Sequence, residues 1–68
     1  MITAHIAMRA SGKLTLLGNH PFHALPRIGE DIFLIREDQD PLALVVVEVS
    51  HTPGGEPGTT LITIPKPD

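Results

Sequence analysis

Histidine is the residue type in this sequence best suited to chemistry. Four imidazoles stand at positions 5, 20, 23 and 51, in a chain without cysteine. In His20-Pro21-Phe22-His23 two rings are separated by two residues on a stretch that reads as a loop. Imidazole is a good ligand for zinc or nickel, a loop can fold both rings onto one ion, and His51 at a strand end offers a third. A metal site normally needs three or four ligands, however, and no carboxylate lies near His20 and His23 in sequence. The expectation is therefore no metal and no cofactor, with His20, His23 and His51 as the only candidate ligands. The plain structural alternative is one solvated loop histidine and one bonded to backbone.

His51 also has the chemistry of a general base. Its neighbour Ser50 falls on the opposite face of the same expected strand, because side chains alternate along a strand. With no thiol and no paired carboxylates in an apolar setting, no catalytic constellation emerges, and the chain is not expected to be an enzyme. His51 is expected instead to hydrogen-bond the Pro26–Glu30 turn. Glu37, Asp38 and Asp40 cluster before Pro41, but their spacing does not match a twelve-residue calcium loop with its glycine and terminal glutamate. They read as a solvated hairpin tip. Gly54-Gly55-Glu56-Pro57-Gly58 carries no lysine and precedes a strand, unlike a phosphate loop, which feeds a helix.

Composition narrows the partners. Five Lys and Arg in 68 residues, with a net charge of −3, are too few to neutralise a run of phosphates. Arg9, Lys13, Arg27, Arg36 and Lys66 are scattered, and stacking rings are scarce: two Phe, no Trp, no Tyr. Nucleic acid is thus not an expected partner. Nor is a membrane, since the longest apolar run, Leu42 to Val47, is far too short to span one. No targeting segment is read at the start, because Arg9 and Lys13 interrupt the apolar residues there. The default expectation is a soluble, cytoplasmic protein.

The elements that must position these residues read as strands. Val, Ile, Thr and Phe fill the apolar segments, and seven Pro with six Gly punctuate them. Ile2, Ala4, Ile6 and Met8 alternate with Thr3, His5, Ala7 and Arg9, the period-two pattern of a half-buried strand. Ala10-Ser11-Gly12-Lys13 reads as a tight turn, and Leu14 to Leu17 as the returning strand. Gly18 to Gly29 is expected to be irregular, with Phe22, Ala24, Leu25 and Ile28 capping one end of the core. Ile32 to Ile35 reads as a strand buried on both faces, Arg36 to Pro41 as a charged hairpin loop, and Leu42 to His51 as the strongest strand. Thr52 to Gly58 is a flexible loop and Thr59 to Ile64 the last strand. Residues 1–64 form one domain, and Pro65 to Asp68 a flexible tail.

Leu25-Pro26-Arg27-Ile28-Gly29-Glu30-Asp31-Ile32, followed by Val46-Val47-Glu48-Val49-Ser50-His51, resembles a pattern of small SH3-like barrel domains in uncharacterised bacterial and phage proteins. The shared features are a Pro-x-x-Gly-acidic-x-apolar turn and a Val-x-x-Val-x-His strand, over about residues 25–64. The resemblance implies a fold: an all-β, small five-stranded SH3-like barrel or meander sandwich. It does not imply proline-rich peptide binding, because such grooves are lined with aromatic rings and this chain has only Phe22 and Phe33.

Leu42–Val49 is apolar on both faces. Either it is strongly bent and shared between two sheets, or its second face packs on another chain. Charged residues are only 19% of the chain, and mean hydropathy is +0.13. So small a domain hides little surface unaided. The expected role is therefore a protein-interaction or assembly module whose partner is itself or another protein. Its expected interface residues are Ile32, Leu34, Leu44 and Val46. The alternative role is a ligand- or metal-binding domain using His20 and His23.

Overall fold

Five strands make up the computed structural model, which describes residues 1–67: β1 Ile2–Ala10, β2 Lys13–Phe22, β3 Asp31–Leu34, β4 Leu42–His51 and β5 Thr59–Pro65. They form one sheet, in the order β2-β1-β5-β4-β3, curled into a half-barrel. The small all-β fold expected from the alternating apolar segments is the fold present. Its connectivity is not a simple meander. β3, β4 and β5 are successive antiparallel neighbours, and β1 and β2 form a hairpin, but the two units are joined by parallel pairing of β1 with β5. The chain therefore closes its core by bringing its first strand beside its last.

The β1–β2 turn follows its residues closely. Ser11 at φ 52° and Gly12 at φ 76° make the two-residue turn whose twist suits a hairpin, and Ala10 pairs with Lys13 across it. β2 is longer than expected. The sequence reading ends it at Leu17 and leaves Gly18 onward irregular, whereas the strand continues to Phe22. The cause is a bulge: pairing runs from Ala7–Leu16 to His5–Asn19, so Leu17 and Gly18 both stand opposite Ile6. Gly18 sits at φ 89°, a conformation that favours glycine. A glycine that reads as a terminator is here a kink inside a continuous strand. Of the stretch expected to be irregular, Gly18 to Gly29, residues 23–29 alone lie outside a strand.

The concave face holds the core. Ala4, Ile6, Leu44, Val46 and Leu61 are fully buried, with Ile32 beside them, and Met8, Leu17, Phe22, Leu25, Leu42 and Val49 pack around the cluster. Phe22 and Leu25 pack against it as expected, but Ala24 and Ile28, expected to cap the core with them, are exposed. Thr63 is buried among these residues, and its hydroxyl donates to the Ala7 carbonyl at 2.9 Å. That bond satisfies a polar group that would otherwise be desolvated at a cost of about 1–3 kcal/mol.

β4 is doubly apolar for a structural reason. Its register against β5 shifts between Val46 and Glu48, so Val47 is an extra residue. Leu44 and Val46 face the core before the bulge and Val49 faces it afterwards, while Val45 and Glu48 take the outer face. β4 is thus not shared between two sheets, as the bent-strand expectation has it: it lies in the single sheet, and the bulge divides its faces.

Two further expectations are corrected. β3 is not buried on both faces: Ile32 is in the core, but Phe33 is 65% exposed, because β3 is an edge strand with nothing over its outer side. Three of the expected interface residues, Ile32, Leu44 and Val46, lie in the chain's own core, so they are not surface that a second chain can meet. Leu34, the fourth, is half-buried at the end of β3. At the C-terminus, Pro65 still pairs with Leu44, and the Lys66 N–H donates to the Ala43 carbonyl at 2.9 Å. The Lys66 ammonium reaches Asp31 at 2.5 Å. Asp68, the end of the expected tail, lies outside the described residues.

Candidate interaction surface

A curled sheet that stops short of closing leaves two edges, and here these are β2 and β3. The hairpin turn sets which backbone groups of β2 point away from β1. A two-residue turn is flanked by a hydrogen-bonded pair, here Ala10–Lys13, and bonded and non-bonded pairs then alternate. Met8–Thr15 is the next bonded pair. Leu14 and Leu16, opposite Arg9 and Ala7, therefore turn their N–H and C=O groups outward. The same alternation, carried through the bulge, turns Pro21 outward, where a missing N–H breaks no bond to β1.

The side chains follow the same division. Leu14 and Leu16 share the outer face of β2 and are 55% and 66% exposed. Across the sheet from Leu16, Ala7 and Ile62 continue the row and are buried by their neighbours. At the far edge Phe33 is exposed on the same outer face, and Ile35, just past β3, is 77% exposed. Apolar side chains thus rim both edges of the convex face, while Ala7 and Ile62 between them are buried by the strands on either side. The sequence reading missed Leu14 and Leu16 because it took their strand as an ordinary hairpin partner. Their alternation with Lys13 and Thr15 was the available signal.

The histidines are dispersed. His20 Nε2 is 2.9 Å from the Leu17 carbonyl oxygen, a bond that secures the bulge. His23 is exposed at the start of the following loop. His51 does not reach the Pro26–Glu30 turn: its Nδ1 lies 3.2 Å from the Thr59 hydroxyl, its cross-strand neighbour. His5 Nδ1 is 2.9 Å from Asn19 Oδ1, and its Nε2 is buried without a partner. Among the described residues, no three His, Asp or Glu side chains gather in a metal-binding arrangement.

The turn that carries the barrel-like pattern has a structural task. Glu30 Oε1 accepts the Arg27 N–H at 2.6 Å, Gly29 N–H donates to the Val46 carbonyl at 2.8 Å, and Val46 N–H donates to the Glu30 carbonyl at 3.0 Å. These bonds splice the loop onto the middle of β4. In the charged hairpin loop, the Arg36 guanidinium wraps the Asp40 carbonyl and bonds Gln39 Oε1. The loop is organised around a cation rather than around its carboxylates.

Among the described residues no helix is long and apolar enough to cross a membrane. No protein-family model, curated protein or solved structure matches this chain.

Proposed function

We propose that this chain is a non-enzymatic interaction or assembly module that works by joining its sheet to another chain, most simply a second copy of itself. One observation carries the reading: the half-barrel leaves two sheet edges unpaired among the described residues, and exposed large apolar side chains, Leu14, Leu16, Phe33 and Ile35, flank those edges. Uncovered edge strands are templates for pairing with another strand, and stable monomers blunt or cover them. The interaction surface moves from Ile32, Leu44 and Val46, which serve the core, to the rims formed by Leu14, Leu16, Phe33 and Ile35. Pairing through edges asks nothing of the histidines.

Sedimentation or light scattering over a concentration series tests the reading. Association of the chain raises the apparent mass above 7.3 kDa. A mass that stays at one chain up to about 1 mM, a concentration that detects even weak association, overturns self-association.

A further inference from the structure

The two edges are not equivalent, and the difference selects a partner. β3 has four residues, and its outward-facing Asp31 holds Lys66 in an exposed ion pair that a new strand would have to desolvate. β2 has ten residues, but Gly18 kinks it and Pro21 removes an outward donor, so its second half is a poor template. What remains is one stretch without a proline or a kink, Lys13 to Leu17, whose outward donors and acceptors are those of Leu14 and Leu16.

That stretch is complementary to itself. Laid antiparallel against a second copy with Thr15 opposite Thr15, it sets Leu14 opposite Leu16 of the other chain and Leu16 opposite Leu14. Each of these two pairs exchanges both backbone bonds, as hydrogen-bonded antiparallel pairs do. The parity fixed by the Ser11–Gly12 turn is the parity this register requires; moving either strand by one residue would lose it. All four leucines then lie together on the convex face, covering the side chains that the monomer exposes most on β2. The charges do not oppose this. Lys13 comes opposite Leu17 of the other copy, and at about 3.4 Å per residue the two Lys13 positions are about 14 Å apart along the strands. That exceeds the screening length of roughly 8–10 Å at physiological salt.

We propose that β2 pairs with β2 of a second copy across a two-fold axis at Thr15, joining two five-stranded sheets into one of ten strands. The proposal rests on the self-association reading and makes it specific in place, register and symmetry.

Cysteine introduction tests the register, since the chain has no cysteine of its own. In this register Thr15 faces itself as a non-hydrogen-bonded pair, with Cα atoms about 4.5 Å apart, within the range a disulfide spans. Under oxidised glutathione, T15C is expected to form a covalent dimer at least about tenfold faster than K13C, which is also an exposed site but does not face itself. L16P is expected to keep the fold, because the lost N–H points away from β1, and to halve the mass from two chains to one. A parent that is monomeric throughout removes both this proposal and the self-association beneath it. A parent that associates while T15C and K13C cross-link at equal rates, or while folded L16P keeps its mass, overturns the two-fold edge alone. Mass that climbs past two chains with concentration overturns it too, because it signals β2 meeting β3 in an open head-to-tail array. Should L16P fail to fold, the cysteine pair still decides.

Discussion

Replacing Leu44 with alanine separates core from surface on β4 more sharply than any other single change. Leu44 is fully buried in the cluster with Ile6, Ile32, Val46 and Leu61. Leucine-to-alanine changes at such sites cost about 2–5 kcal/mol, from lost transfer energy and the cavity left behind. A domain of 68 residues has roughly 3–10 kcal/mol to lose at about 0.05–0.15 kcal/mol per residue. A loss near 3 kcal/mol is then about three tenths of the total or more. At about 4–8 °C per kcal/mol for a domain of this size, the melting midpoint falls by about 12–24 °C. Leu16→Ala, at an exposed position, stays within about 0.5 kcal/mol once association is accounted for.

The assay is urea unfolding followed by far-ultraviolet circular dichroism, since the chain has no Trp or Tyr to report by fluorescence. It must be run at several protein concentrations, because dimerisation adds apparent stability by mass action. With urea slopes of about 1–3 kcal/mol per molar, Leu44→Ala lowers the midpoint by about 1 M or more. If Leu44→Ala keeps the parent's midpoint while the associated mass falls, the burial reasoning is refuted, and Leu44 belongs to an interface after all.

Other expectations follow from single contacts. Thr63→Val, which removes the buried hydroxyl bonded to the Ala7 carbonyl, lowers unfolding stability by about 1–2 kcal/mol in the same titration. Gly18→Ala meets only His20 Nε2 at 3.9 Å, an ordinary contact, so its cost is the backbone strain at φ 89°, about 1–2 kcal/mol, read as a lower melting midpoint. Lys66→Ala breaks an ion pair whose side chains are 47% and 51% exposed, and changes stability by no more than about 1 kcal/mol. Zinc at a tenfold excess, roughly, leaves the melting midpoint unchanged in calorimetry, because His20 is engaged by Leu17 and no ligand cluster surrounds His23.

Period-two alternation made β1 legible, and β4 was legible to the residue, since Leu42 to His51 is bounded by Pro41 and by the Thr52–Gly58 loop. The faces of β4 were not. Leu44 and Val46 looked like the spare face because they share parity with Glu48 and Ser50 in a regular strand; the bulge at Val47 breaks that parity, and a bulge is decided by the partner strand. Gly18 hid β2 for the same reason. A positive-φ glycine within a paired strand and one that ends it have the same sequence signature, and only the pairing of Asn19 to Phe22 with β1 tells them apart. The parallel β1–β5 contact joins residues more than fifty positions apart, and nothing local encodes it. Ile32-Phe33-Leu34-Ile35 read as buried on both sides because a continuous apolar run has no period with which to expose a face.

The candidate surface was illegible for a different physical reason, which also explains why it exists. A single curled sheet has an inside that its own curvature can fill and an outside that no second layer covers. On the outside, Ala7 and Ile62 are buried because strands flank them on both sides, whereas Leu14, Leu16 and Phe33 stand on edge strands with one flank missing. Exposure here is a property of strand order, not of residue type, so sequence hydrophobicity ranks these residues with the core. Of the edge positions, Leu14 and Leu16 alone combine an uncovered apolar side chain with outward backbone groups on a long strand, free of an ion pair to desolvate. Side-chain burial and backbone satisfaction therefore favour the same event at the same two residues. An added strand supplies both at once, which neither a bound ion nor a small molecule on the convex face would do.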